Sequence, residues 1–199
     1  MLYTAPMATL DELKALHNKY HTQNTCGLKT TATQPVYGHG NPNAEVVFIG
    51  EAPGKKEDQT GIPFVGAAGK FLDEMLASIG MKRSDIYITN IVKYRPPDNR
   101  DPEPSEKDAC RDWLHAELTA INPRLIVFLG RHSMNDFFPT KKISEVHGQL
   151  LEEKFPHITT THFLPLYHPA AALYNGALRK NLLEDFQKIP LLLQKLQKK

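Results

Sequence analysis

Apolar residues follow two rhythms along this chain, one of helical and one of strand period. Leu10, Leu13 and Leu16 recur at helical spacing and predict a helix over residues 8–22, with Thr9 as its N-cap. Between Thr25 and Asn43 the residues are mostly Thr, Gly, Pro and Asn, which predicts an irregular surface segment. The uninterrupted run Val46, Val47, Phe48, Ile49 then reads as a buried strand stopping at Gly50. A loop over 50–66 leads to an amphipathic helix near 67–79, whose apolar side is Phe71, Leu72, Met75, Leu76 and Ile79. The alternation continues with a strand at Ile86–Val92, a helix over about 103–121, a strand at Leu125–Leu129, a helix over about 131–138 and a strand at Phe163–Tyr167. A last helix covers about 177–198, where Pro190 should interrupt it by removing a ladder bond. Residues 144–160 carry a weak edge-hairpin signal. Short apolar strands alternating with helices predict an α/β fold, a three-layer α/β/α sandwich around a central, largely parallel four-stranded sheet with right-handed connections.

Composition narrows the class without naming it. A chain of 199 residues that is 41% hydrophobic is long enough for its own core, so a single domain over residues 1–199 is expected. No apolar run approaches the ~18 residues of a membrane span, and the N-terminus lacks signal-peptide order, so a cytoplasmic protein without membrane contact is expected. A monomer is expected as well. The 24 basic and 22 acidic side chains leave a net charge of +2, which excludes nucleic-acid binding through bulk charge alone. Local patches remain: Lys82, Arg83, Lys93, Arg95 and Arg100 against Asp85 and Asp98, and a basic tail after residue 177. By charge alone each patch reads as a solvated face. The two cysteines, Cys26 and Cys110, are too few for a disulfide framework and form no CxxC pair.

In a parallel sheet the chemistry gathers outside the carboxyl ends of the strands. The residues there are Gly50 with Glu51, Asn90, Gly130, and His168 with Pro169. Three residues lie between Gly50 and Gly54, where the phosphate loop needs four, and Lys55 is followed by Lys56 rather than Ser or Thr; no GxGxxG is present either. Taken singly, Asn90, His168 and Phe64 read as a strand-end cap, a satisfied histidine and a core aromatic. Together they supply an amide for a base edge, an imidazole for a ring oxygen and a face for stacking on a pyrimidine. With Glu51 as a carboxylate beside water, the set suggests cleavage at a nucleotide's sugar with an anionic leaving base.

The segments GEAPGKKEDQTGIPFVGAAGKFLDEML (50–76), YITNIVKYRPPDNRDPEPSE (87–106), IVFLGRHS (126–133) and YHPAAAL (167–173) resemble the family 4 uracil-DNA glycosylases in order and spacing. The resemblance runs from Cys26 to the final helix and implies a repair enzyme acting on uracil in single- or double-stranded DNA, nucleoid-associated if bacterial. It implies that Glu51 serves the hydrolytic water and that the Ala52 backbone lines the base pocket. Glu57 would stand where a thymine methyl must be rejected, and Phe64 would stack on the flipped uracil. Asn90 would read the uracil edge and His168 would bind uracil O2. Leu173, with Tyr174 beside it, would fill the gap left by the flipped nucleotide, and Lys93, Arg95, Arg100, Arg179 and Lys180 would contact phosphates.

The same family binds a four-iron, four-sulfur cluster through four cysteines, and here Gln23 and Tyr94 stand at two of those positions. Gln and Tyr do not replace thiolates in such a cluster, so no cluster and no other metal is expected, with Tyr94 filling part of the volume. A zinc site from His17, His21 and both cysteines has spacing unlike the standard motifs. Two further readings stay open: a catalytically silent member binding DNA or another partner, and a glycosylase for a different deaminated or mismatched base.

Overall fold

The structure, a computed structural model, describes residues 10–197. In chain order its elements are α1 (Leu10–Gln23), β1 (His39–Gly40), β2 (Val46–Gly50), α2 (Lys55–Thr60), α3 (Ala67–Ser78), β3 (Tyr87–Asn90) and α4 (Pro104–Ile121). There follow β4 (Leu125–Leu129), α5 (Arg131–Phe137), α6 (Ile143–Val146), β5 (Leu151–Glu152), β6 (His162–Leu166), α7 (Pro169–Leu173), α8 (Gly176–Phe186) and α9 (Lys188–Gln197).

The expected parallel core is present as β3-β2-β4-β6, each neighbouring pair in parallel register. The sheet has six strands rather than four, because two-residue strands add antiparallel edges: β1 on β3 and β5 on β6. Strands this short fall below what alternation can reveal, and they also shield the sheet's edges from further pairing. The 144–160 segment holds the end of α6 and then β5, which pairs antiparallel with the following strand β6 and so forms the outer arm of an edge hairpin.

Side chains alternate between two cores. Val47, Ile49, Ile126, Phe128 and Phe163 face a layer holding Leu13 and Tyr20 of α1, Cys110, Leu114 and Leu118 of α4, and Met134 of α5. Val46, Phe48, Val127, Leu164 and Leu166 face Phe71, Leu72 and Met75 of α3, Leu182 and Phe186 of α8, and Ile189 and Leu193 of α9. Every residue of β2 and β4 is buried, as continuous apolar runs in a twice-covered sheet require.

Other boundaries moved for local reasons. The expected loop 50–66 contains α2, which closes on Gly61 at φ 72°, the left-handed conformation glycine adopts freely. The last helix breaks at Gln187, so that Pro190 falls in the first turn of α9, where its missing N–H costs nothing. The expected cap Thr9 lies outside the described residues. Among the described residues no helix is long and apolar enough to cross a membrane.

The base cluster after β3 is not what its charge suggested. Lys93, expected at phosphate, is 2% exposed and pairs with the equally buried Glu117 at 2.8 Å. Glu117 also accepts from the hydroxyls of Tyr87 at 2.7 Å and Thr89 at 2.8 Å, and meets His17 Nε2 at 3.3 Å. Burial alone would raise the Glu117 carboxyl, but Lys93 and His17 outweigh it and hold it well below the usual carboxylate range. Lys93→Met leaves that carboxylate buried without its cation and should cost about 3–5 kcal/mol, read by urea unfolding. Coupling with Glu117→Gln should make the double variant less damaged than the two single losses added together.

Candidate active site

Parallel register delivers four strand ends to one edge. Gly50 is paired with Asn90 across β2 and β3, Phe128 faces Ile49 across β4 and β2, and Leu129 faces Leu166 across β4 and β6. Glu51, Asn90, His132 and His168 therefore emerge side by side, from the ends of four adjacent strands.

A cavity of about 400 Å³ opens at this edge, lined by Ala52, Glu57, Phe64, Asn90 and His168 among others. Its volume is in the range of small-ligand sites. Asn90 is 1% exposed, and its Oδ1 is enclosed with no hydrogen-bond partner. Its backbone carbonyl is held by Lys93 Nζ at 2.9 Å, which ties this strand end to the Glu117 network. Gly50 is required beside it: a Cβ there would stand 2.4 Å from Asn90 Oδ1 and 2.7 Å from the Phe64 ring.

Phe64 is built into place by strain. Its φ of 55° is rare for a bulky residue and costs of order 1 kcal/mol or more. Arg83 compensates by clasping the loop, donating to the carbonyls of Phe64, Pro63 (3.1 Å) and Gly69 (3.3 Å), with Asp73 at 2.5 Å on its other side. Gly69 makes this possible, because a Cβ there would fall 1.7 Å from the Phe64 carbonyl oxygen. The ring sits 6.0 Å from the His168 imidazole, tilted by 34°. Glu57 lines the cavity with Oε1 accepting from the amides of Val65 (2.9 Å) and Gly66 (2.8 Å), so it also braces this loop.

His168 caps α7: its Nδ1 accepts from the Ala170 amide at 3.1 Å. A ring accepting at Nδ1 carries its proton on Nε2, so in the neutral state the free donor faces away from the backbone. Burial, helped by nearby His132, pushes the imidazole down to about 4, which keeps it neutral at physiological pH. Glu51 shows the opposite shift: burial first, then Asp101, raises its carboxyl to about 7, while Lys107 and Arg131 pull the other way. Its Oε1 has no hydrogen-bond partner and lies 3.5 Å from His132 Nδ1.

The remaining expected residues are scattered. Leu173 is half-buried against the second core, whereas Tyr174 is 92% exposed just beyond α7. Arg100 is committed to Glu106 at 2.6 Å, and Arg179 pairs with Glu74 at 3.0 Å while lying over Phe71. Arg95 donates to Asn99 at 2.8 Å, and Lys180 is exposed on α8 with Glu184 at 3.9 Å. His132 and Arg83 escaped sequence reasoning. His132 could have been found as the residue three positions past the β4 end, but nothing in the sequence separates Arg83 from the basic patch around it.

The thiol region does not fit a four-iron cluster. Two cysteines exist, and the Tyr20 hydroxyl lies 3.3 Å from Cys110 Sγ, with its ring 5.8 Å from that of Tyr94 and 5.6 Å from that of Trp113. Cys26 Sγ reaches the Glu106 carbonyl at 3.7 Å, and Gln23 is exposed. His17 is turned to Glu117 and stacked on Tyr37, away from any shared site with the cysteines.

The chain matches the uracil DNA glycosylase superfamily over residues 37–189. It is 49% identical to the type-4 uracil-DNA glycosylase of Archaeoglobus fulgidus, over 82% of this chain and 84% of the relative. It is 45% identical to that of Sulfurisphaera tokodaii, over 90% and 84%, and 42% identical to that of Saccharolobus solfataricus, over 90% and 86%. A parallel sheet with a base-sized cavity at its carboxyl edge and relatives of this similarity define one class, and the chain belongs to the type-4 branch of the uracil DNA glycosylase superfamily.

The two shifted groups give stability a pH dependence of known sign. Glu51 binds its proton more tightly folded than unfolded, so its contribution declines as pH rises from 4.5 to about 7. His168 binds its proton less tightly folded, so its contribution is lost as pH falls from 6.5 to about 4. Glu51→Gln should therefore raise the melting temperature relative to wild type more at pH 8 than at pH 5, measured by calorimetry at both.

Proposed function

We propose that this protein flips uracil out of DNA into the cavity and hydrolyses its N-glycosidic bond, leaving an abasic site for base excision repair. The observation that carries this reading is the enclosed, unpartnered amide oxygen of Asn90 beside a neutral His168 whose Nε2–H is free to donate. Uracil offers N3–H to that oxygen and O4 to the Asn90 amide N–H, whereas cytosine presents the opposite polarity at both positions and leaves buried groups unpaired. Phe64 stacks on the base, the Ala52 backbone completes the wall, and Glu57 stands where a thymine methyl would press.

In the reaction the bond between C1′ and N1 breaks and its electron pair leaves with uracil. His168 donates to O2 as negative charge gathers there, and the sugar passes through an oxocarbenium-like state. Water attacks C1′, and its proton goes to the Glu51 carboxylate. The Glu51 carboxyl must be ionised to accept, so excision should rise with pH through the region near 7.

Tyr174, 92% exposed, enters the stack in place of the flipped nucleotide, rather than the half-buried Leu173 that the resemblance implied for that place. Arg95, Arg100, Arg179 and Lys180 remain the proposed phosphate contacts, Arg100 and Arg179 by exchanging their present carboxylate partners, and exposed Lys55 and Lys56 of α2, next to the cavity residue Gly54, join them. The enzyme works as a monomer in the cytoplasm, at the nucleoid in a bacterium.

The test is excision from an oligonucleotide bearing one uracil, single-stranded and opposite guanine or adenine, followed by alkaline strand cleavage. His168→Ala should lower the rate about a hundredfold or more, the usual effect of losing one donor to a developing anion. Asn90→Asp should slow uracil excision and move preference toward cytosine. No cleavage by folded wild type would favour a silent binding member or another base as substrate.

We further propose that the enzyme works without an iron–sulfur cluster, its thiol region held by the Tyr20, Tyr94 and Trp113 rings. Purified protein should be colourless and free of stoichiometric iron; broad absorbance near roughly 400 nm with bound iron would overturn this.

A further inference from the structure

His132 has no part in the reaction as described, yet it occupies the space between Glu51 and the surface. It sits in the first turn of α5, with Nδ1 3.5 Å from Glu51 Oε1 and Nε2 3.4 Å from Asp101 Oδ2. The neighbouring Arg131 donates from its guanidinium Nε to His132 Nε2 at 2.9 Å. A ring nitrogen that accepts carries no proton, so the neutral ring bears its hydrogen on Nδ1, the nitrogen nearer the carboxylate. That carboxylate oxygen is the one left without a hydrogen-bond partner.

We propose that His132 is a positioning residue for Glu51: Arg131 fixes the ring tautomer from outside, and the Nδ1–H so placed holds the Glu51 carboxylate in its accepting form, turned to the attacking water. This rests on the reading of Glu51 as the water's partner. A hydrogen bond to the charged form of an acid opposes the effect of burial, which would otherwise keep Glu51 protonated. The charged and titratable groups around the pair act in both directions. Asp101 raises both Glu51 and His132, Lys107 and Arg131 lower both, and His168 lies on the inner side. Burial lowers His132 itself, in keeping with a neutral ring. The 3.5 Å separation is long for a hydrogen bond, as catalytic contacts commonly are before substrate closes the site.

The experiment has two arms. In the first, the pH dependence of kcat/KM for uracil excision from single-stranded oligonucleotide is measured from pH 5.5 to 9 for wild type, His132→Phe and His132→Asn. Phenylalanine keeps the ring shape without a donor, and asparagine keeps an N–H near the Nδ1 position. His132→Phe should move the acid limb upward by about one pH unit, a loss of about tenfold at pH 6 that disappears by pH 9, while His132→Asn keeps the wild-type limb. A loss of equal size at every pH, or an unmoved limb in His132→Phe, overturns the proposal. In the second arm, ring ¹⁵N shifts of the resting protein should show His132 neutral with its proton on Nδ1; a proton on Nε2 overturns the proposal whatever the kinetics. Absence of excision by wild type would instead defeat the assignment of function, and the ¹⁵N arm would still decide the tautomer.

Discussion

A carboxylate cannot be taken out of water without compensation, and Glu117 is placed at the bottom of the first core on that condition. Meeting it draws in a lysine from beyond β3, a tyrosine and a threonine from β3 itself and a histidine from α1. The requirement knits α1, α4 and β3 together more specifically than their apolar contacts could, since Leu and Ile surfaces tolerate sliding and a satisfied ion pair does not. It also reaches the reaction site. Lys93 spends a second hydrogen bond on the Asn90 carbonyl, so the strand end that presents the Asn90 amide to the cavity is anchored from within the core.

Above that anchor the site is organised by the same physical quantity, exclusion of water, used in two opposite ways. Exclusion makes His168 a neutral donor and keeps Glu51 reluctant to ionise. A neutral donor is what an incipient uracil anion needs, since a permanent cation there would bind the product tightly, while a reluctant carboxylate is a stronger base when it does ionise. The pocket wall follows a third rule. Phe64 is forced into a left-handed backbone and held by Arg83, so its ring is fixed at the cavity wall.

Much of this was readable in the residues themselves. The uninterrupted runs of β2 and β4 mark a doubly covered sheet, and the strand-end rule leads from the sequence to Glu51, Asn90 and His168. What escaped was of three kinds. The two-residue edges β1 and β5 have too few positions for any periodicity to register. Lys93 was misjudged because charge in a sequence does not say whether a partner waits 24 residues later in the fold, as Glu117 does. Arg83 and His132 act through geometry, a clasp around carbonyls and a turn of an imidazole, and neither leaves a pattern along the chain.

The shortness of α7 has a mechanical meaning. His168 caps its beginning and Tyr174 stands just past its end, so five helical residues separate the group that would grip the base from the ring that would occupy the vacated stack. At 1.5 Å per residue they form a rigid ruler of about 7.5 Å, against base pairs stacked about 3.4 Å apart. On the proposed roles, insertion and capture would be two ends of one solid body, so that neither could advance without the other. Adding a single residue would lengthen the ruler only slightly but swing its far end by about 100°, aiming the ring away from the helix it is meant to enter.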